Sequence, residues 1–444
     1  MKFAFYTLGC KVNQFETQAM EKKLLAMGHA LGTFQEPCDG YIINTCTVTA
    51  VADKKNRAVI RRCRRENPQA VVGVCGCYAQ VSTDAVRDLG VDVISGSAGR
   101  EDFLGMMIRA VEERVHLELV DEALKRRAFE LLPPGGLEER TRAMLKVQDG
   151  CNNFCTYCII PYARGPVRSE PLDVALEQAR ALVAAGYREI VVTGIEIASW
   201  GWDLKNGQTL TDLLEALCLA LPQTRIRLGS LEPRIITEDF CRRLYIFPRL
   251  CPHFHLSLQS GSDSVLARMR RKYDTARYLQ SVELLRQYFP GCAITTDMIV
   301  GFPGETEQEL EESLAFIHKC GFAAMHIFPY SRRPGTPADR MPGQLLKGEK
   351  EVRSARAIAA AKVQEDAFLQ GLLGTTQEIL FEEITPCTAG ETNSLPHTED
   401  CCLWTGHSPN YARVYVPGTD LHNQVRTVQV LRPFRDGLLG ELMP

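Results

Sequence analysis

The sequence predicts an α/β protein in three blocks: an amino-terminal doubly wound parallel-sheet domain (1–120), a central partial (β/α)6 barrel (143–373) and a small carboxyl-terminal all-β barrel (374–440), with 121–142 as a linker. Three observations carry this reading. The first block alternates short apolar runs with amphipathic helical ones, the rhythm of a parallel sheet with helices on its faces. A second βα series starts after a Pro/Gly-rich break. The last block changes to period-two alternation between turn residues, which is the pattern of strands without helices.

In the first block the strand candidates are 3–8, 40–44, 71–74 and 91–94. Ligands of parallel sheets collect beyond the carboxyl ends of the strands. Cys10, Cys46 and the pair Cys75/Cys77 each follow such an end, on three separate strands, and so are placed to converge on one metal centre. The bland alternative is that they are small apolar core residues. The run Leu132-Pro-Pro-Gly-Gly136, followed by the charged Glu138-Glu-Arg-Thr-Arg142, marks the boundary to the second series. Its strand candidates are 143–147, 189–194, 226–230, 254–259, 294–300 and 325–329, with helices at 172–185, 211–221 and 307–319 between them. Six units are too few for a closed eight-stranded barrel and suit an open one. Gly194, Ser230, Gln259 and Gly301 then fall at or just past strand ends, beside Glu196, Glu232 and Ser257. The last block offers strands at 378–381, 411–416 and 425–431.

The strongest chemical signal is Cys151-Asn-Asn-Phe-Cys155-Thr-Tyr157-Cys158, at the end of the first strand of the second series. Three thiolates in this spacing suit three corners of a cubane iron–sulfur cluster, leaving one iron open. An open iron beside a strong reductant suits S-adenosylmethionine, whose amino and carboxylate groups chelate it and whose sulfonium yields a 5′-deoxyadenosyl radical. A structural zinc site would want four ligands, and no second Cys pair lies nearby. Ile299-Val-Gly301-Phe-Pro-Gly304-Glu305 closes a strand and opens a helix, so its glycines allow close approach of backbone to a ligand.

Composition narrows the classes further. The 444 residues carry a net charge of −3, so no global field points to nucleic acid or membrane. Seventeen cysteines without a secretory signal fit reduced thiols in the cytoplasm. The short apolar stretch before Cys10 reads as a strand rather than a leader, and no run approaches a membrane span. Two basic runs, Lys54 to Arg65 and Arg268 to Tyr273, read either as solvated helix faces or as phosphate-contacting patches. On a helix Arg57, Arg61, Arg64 and Arg65 would share a face. His253 and His255 read as packed or surface residues rather than metal ligands.

Taken together, Thr7-Leu-Gly-Cys-Lys-Val-Asn-Gln14, Asn44-Thr-Cys-Thr47, Gly76-Cys-Tyr-Ala-Gln80, the central cysteine run, His255-Leu-Ser-Leu-Gln-Ser-Gly261, the 299–305 segment and His326-Ile-Phe-Pro-Tyr-Ser331 resemble the radical S-adenosylmethionine methylthiotransferases over almost the whole chain. Within that family they look most like the branch acting on N6-threonylcarbamoyladenosine beside the tRNA anticodon. The resemblance implies two [4Fe–4S] clusters, one on Cys10, Cys46 and Cys77 and one on Cys151, Cys155 and Cys158. It implies two uses of S-adenosylmethionine, with Tyr157, Gly194, Glu196, Ser230, Glu232, Gln259 and Gly301 as contacts. One molecule methylates a sulfur on the first cluster; another gives the radical that takes hydrogen from C2 of the adenine.

It further implies a tRNA anticodon loop as partner, an electron donor, a sulfur donor, and a TRAM-type RNA-binding module at the carboxyl end. The related substrates would be isopentenyladenosine in tRNA or an aspartate of a ribosomal protein. Two departures stand out: Glu170 occupies a position that is usually basic, and 387–407, with Cys401-Cys402, reads as a polar insertion in the last barrel.

Overall fold

In the computed structural model, the structure describes residues 1–136, 141–386 and 402–444. The first sheet consists of β1 (Lys2–Thr7), β2 (Ala30–Gly32), β3 (Gly40–Thr45), β4 (Val71–Gly76), β5 (Val93–Ser95) and β6 (Leu117–Leu119), all parallel, in the order β2-β1-β3-β4-β5-β6. Alternate residues of its central strands feed two separate cores. Phe3, Ile42 and Val71 face the helices Lys11–Ala26 and Arg100–Glu113. Ala4, Tyr41, Ile43 and Val72 face the helix Ala50–Glu66 and Tyr78. The sheet is therefore doubly wound, as the sequence predicts. Its three-residue edges β2 and β6 are too short for alternation to show. The order also places a topological switch point between β1 and β3, the position where such sheets hold ligands.

The second series opens with β7 (Arg142–Lys146), followed by β8 (Gln148–Asp149), β9 (Arg168–Ser169), β10 (Glu189–Thr193), β11 (Arg225–Leu228), β12 (Ser230–Leu231), β13 (His253–Leu256), β14 (Ala293–Val300) and β15 (Ala324–Pro329). One parallel sheet runs β11-β10-β7 and another β12-β13-β14-β15. The predicted 226–230 strand is thus two strands. At Gly229, whose N–H donates to the Val192 carbonyl (2.8 Å), the chain leaves β10 and takes β13 as its neighbour. Together the two sheets make an open arc of six strand positions. A 24-residue helix, Lys347–Gln370, crosses its last strands. The sequence reading did not mark that helix, whose apolar face is narrow, with only Ala357 and Ala361 buried.

The last block is a closed barrel, β16-β17-β18-β20-β19, made of β16 (Thr376–Thr385), β17 (Cys402–His407), β18 (Arg413–Gly418), β19 (Val425–Phe434) and β20 (Gly437–Leu442). It corrects the reading of 387–407 as an insertion: Cys402–His407 is a strand paired to both β16 and β18. Gly406 disguises it, and is needed there because a Cβ would lie 2.4 Å from the Leu380 carbonyl oxygen. The rest of that segment, with Cys401, lies outside the described residues, as do Glu138, Glu139 and Arg140 of the charged run after the break. No helix among the described residues is long and apolar enough to cross a membrane.

Candidate active site

Cys10, Cys46 and Cys77 follow β1, β3 and β4 at the same end of the sheet. Two glycines bring their loops together. Gly9 has φ +117°, and a Cβ on it would lie 2.8 Å from the Cys46 Cβ; Gly76 has φ +100°, and a Cβ would lie 2.5 Å from the Thr45 carbonyl. A side chain at either position would push the strand ends apart. Asn13 Nδ2 donates to the carbonyls of Leu8 and Thr45, both at 2.9 Å, and Asn56 Nδ2 donates to the Cys46 carbonyl at 2.6 Å. Burial, then the neighbouring Cys77, pushes the Cys46 thiol up to about 12; burial also pushes Cys77 up. Cys75, left unresolved by its spacing, instead packs with Phe103 and Met107 in the apolar core.

Cys151, Cys155 and Cys158 lie on the loop between β8 and the short helix Ile160–Arg164. Gly150, at φ +74°, lets the loop turn against Pro166, whose carbonyl oxygen would stand 1.9 Å from a Cβ. The three thiols open on a cavity of about 140 Å³ that Tyr157, Glu196, Ser230, Glu232 and Arg271 also line. Burial pushes Cys151 and Cys158 up to about 12, and burial, then Glu232, pushes the Glu196 carboxyl up to about 7. Such thiols stay neutral until a metal takes the place of the proton. Three sulfur donors and several polar groups lining one cavity fit an iron–sulfur cluster and a chelating amino acid. Among the described residues no three His, Cys, Asp or Glu side chains group around one metal ion. That is compatible with a cubane, whose thiolates bind separate irons and stand apart.

Not every predicted residue converges there. Gly194 lines a larger cavity of about 640 Å³, shared with Cys10 and Ser230, and Gln259 lines one of about 280 Å³, shared with Cys158 and Val48. Gly301 lines none of these cavities: its N–H donates to Glu305 Oε2 (2.7 Å), and a Cβ would meet Lys350 at 2.4 Å, so the 299–305 turn packs against the helix Lys347–Gln370. His253 and His255 share Thr295 Oγ1 (3.1 and 3.0 Å) on the wall of the 640 Å³ cavity. The basic runs shrink: Arg64 pairs with Asp92, Arg57 donates to the Tyr78 hydroxyl, and Arg268 pairs with Glu309.

Two arginines that the sequence reading did not single out belong to the site. Arg271 donates to Cys155 Sγ at 3.1 Å. Arg164, six residues after Cys158, reaches the other thiol set, donating to Cys77 Sγ (3.3 Å) and Asn13 Oδ1 (2.7 Å). It also contacts Glu16 and Asp149, inside a fully buried network with Arg100 and Lys146. Burial alone would raise the Glu16 carboxyl, but Arg100, Arg164 and Lys146 outweigh it and hold it well below the usual range. Neither arginine carries a local signal: Arg271 finds Cys155 116 residues away along the chain, and Arg164 finds Cys77 and Asn13 across a domain boundary.

Glu170 is buried and away from the cavities. Its Oε1 accepts from Gln178 Nε2 (2.8 Å), Oε2 has no partner, and burial pushes its carboxyl up to about 8. An acid raised from 4.5 to about 8 stabilises fully below pH 4.5 and loses that contribution as pH climbs to 8. The loss is at most about 1.4 kcal/mol per pH unit. Glu170→Gln is expected to melt like wild type at pH 5 and several degrees higher at pH 8.5. Equal melting at both values would show the carboxyl to be ionised in the fold.

The carboxyl-terminal barrel docks on the arc through Arg225 and Arg227, which donate to the carbonyls of His407 (3.1 Å) and Pro409 (2.9 Å). Tyr411 stacks between His253 and His407, with centroids 4.9 and 4.7 Å apart. The 640 Å³ cavity is thus walled by all three blocks: Cys10, Ser230 and Tyr411 all face it.

Comparison with known proteins agrees with this architecture. Residues 145–317 match the Radical SAM superfamily, and residues 2–96 match Uncharacterized protein family UPF0004. The chain is 40% identical over 439 residues to the threonylcarbamoyladenosine tRNA methylthiotransferase MtaB of Bacillus subtilis, covering 98% of this chain and 95% of that protein. It is 35% identical to the enzyme of that name from Chlamydia pneumoniae, covering 99% and 98%. The tRNA-2-methylthio-N(6)-dimethylallyladenosine synthase of Acidothermus cellulolyticus is 34% identical, with 93% and 82% covered. Among solved structures, the radical S-adenosylmethionine methyltransferase TsrM from Kitasatospora setae shares the fold, with a TM-score of 0.57 at 14% identity over 76% of this chain and 77% of that one. An open six-position arc carrying the Cys151–Cys158 loop, a doubly wound sheet bearing three further strand-end thiols and near full-length identity lead to one assignment: the chain belongs to the radical S-adenosylmethionine methylthiotransferases of the MtaB type, a family of transferases.

Proposed function

We propose that the chain transfers a methylthio group to C2 of N6-threonylcarbamoyladenosine at position 37 of tRNA, in the cytoplasm. The observation that carries the reading is that Cys151, Cys155 and Cys158 open on one cavity and Cys10, of the strand-end set, on its neighbour, the two cavities sharing Ser230 as a wall. Relatives named for this reaction support it at 35–40% identity. On this reading Cys151, Cys155 and Cys158 hold one [4Fe–4S] cluster, and Cys10, Cys46 and Cys77 a second. When bound, these clusters and S-adenosylmethionine supply a 5′-deoxyadenosyl radical and a sulfur, chemistry that C2–H of adenine, neither acidic nor electrophilic, requires.

The chain's own residues position and shield. Glu196, Ser230 and Glu232 offer acceptors to the amino and ribose groups of S-adenosylmethionine, and Arg271 sets a positive charge against the Cys155 sulfur. Val48, Ile299 and Phe328 give the 280 Å³ cavity beside Cys158 its apolar walls. The closed β-barrel serves as the RNA-binding module and grips an anticodon loop, whose bases are already partly unstacked. Electrons and sulfur come from separate donors. The division into 1–120, 143–373 and 374–440, joined by 121–142, follows these three tasks.

The test is mass spectrometry of tRNA nucleosides after anaerobic incubation of reconstituted protein with S-adenosylmethionine, reductant, sulfide and tRNA carrying threonylcarbamoyladenosine. The 2-methylthio derivative is expected. Its absence, with conversion of isopentenyladenosine tRNA instead, would overturn the substrate.

A further inference from the structure

Lys11 is the first residue of the helix Lys11–Ala26 and the neighbour of Cys10. It lines two cavities, of about 640 and 680 Å³. A lysine there sits at the positive end of the helix dipole, with no acidic residue in the first turn to offset it. Locally unfavourable choices of this kind concentrate at functional sites.

The other cations on these walls are engaged: Arg142 with Glu382 (2.8 Å) and Arg227 with Glu189 (2.6 Å). The carboxylates on the wall of the 640 Å³ cavity are engaged too, Asp297 with His255, Glu365 with Lys362 and Asp436 with Arg413. Among the described residues the Lys11 ammonium has neither a hydrogen bond nor an ion pair. The cavity beside Cys10 therefore offers an unpaired ammonium, and its own carboxylates are taken by other cations.

The chemistry of the base supplies an anion. In adenine, C2 and the carbon bearing N6 flank the single ring nitrogen N1. A base that turns C2 toward a sulfur held at Cys10, Cys46 and Cys77 must bring its N6 substituent alongside. A threonylcarbamoyl group ends in a carboxylate, whereas an isopentenyl group ends in hydrocarbon. We propose that Lys11 is the specificity-determining residue that receives the carboxylate on the N6 substituent of the target adenine. This rests on the substrate reading above and deepens it. A hydrocarbon in the same place would strand the ammonium away from water, so the residue both attracts one substrate and rejects the other.

The test is fluorescence-anisotropy titration of full-length, cluster-loaded protein with anticodon stem–loop RNAs. These carry threonylcarbamoyladenosine, its methyl ester, isopentenyladenosine or plain adenosine, and iron content is checked for each variant. A charge-assisted hydrogen bond corresponds to a preference of wild type for the acid over the ester of roughly ten- to a hundredfold. Lys11→Met should bind acid and ester alike, at the wild-type affinity for the ester, and Lys11→Arg should recover most of the preference. A Lys11→Met protein that still prefers the acid would overturn the proposal. So would a wild type that converts the acid yet binds both RNAs equally, and then the substrate reading stands while Lys11 loses its role. If wild type neither converts the acid RNA nor binds it better than plain adenosine RNA, the substrate reading falls and takes this proposal with it.

Discussion

Alanine at Cys10, Cys46 or Cys77 is expected to reduce methylthio product to background while 5′-deoxyadenosine formation continues at a rate close to wild type. Alanine at Cys151, Cys155 or Cys158 is expected to abolish both. The asymmetry follows from geometry. The first three thiols stand at the ends of β1, β3 and β4, whereas the second three share one loop and a cavity that Glu196 and Glu232 also line. Removing a strand-end thiol leaves that loop and its cavity intact. Nucleoside mass spectrometry and chromatography of 5′-deoxyadenosine on the same samples read the two outcomes separately. Parallel loss of both products in every variant would mean that the thiols form one functional unit.

The second large effect is on stability. Arg164→Leu is expected to cost about 3–5 kcal/mol, because it leaves Glu16 and Asp149 buried with fewer cations than their environment needs. Arg164→Lys keeps a charge but loses the planar fork that spans Glu16, Asn13 and Cys77, so it should recover only part of the loss. Anaerobic calorimetry of holoprotein would show this as a fall in Tm of about 3–5 °C. An unchanged Tm would mean that the network contributes nothing net. The same variant should also perturb the absorption of any cluster at Cys77, since a donor to its sulfur is gone.

How far the site was legible depends on the range of the signal. Thiols placed by strand-end logic, and a loop whose three cysteines lie within eight residues, announce themselves locally. So do helices such as Glu307–Cys320, with a capping box at Thr306 and Glu309 and a left-handed Gly321 at its end. What stayed hidden is long-range. Arg164 looks like the tail of a short helix until β4 brings Cys77 against it. Arg271 sits inside a run of charges that reads as surface. Gly301 is ambiguous in sequence: a glycine turn before a helix serves a ligand or a packing partner equally well, and only the fold shows Lys350 packed against it. β17 was lost because Cys402-Leu-Trp-Thr-Gly-His407 alternates weakly and follows a polar stretch. Lys11 lies within a motif, but only the fold shows that it lines two cavities, one of them shared with Cys10.

The most direct test of two cluster sites in one chain is iron and sulfide analysis with Mössbauer spectroscopy on reconstituted triple variants. One variant carries alanine at Cys10, Cys46 and Cys77, the other at Cys151, Cys155 and Cys158. Two independent sites predict about four irons per chain in each variant, about eight in wild type, and none when all six cysteines are replaced. Loss of all cluster iron from either triple variant, or about four irons in wild type, would contradict them.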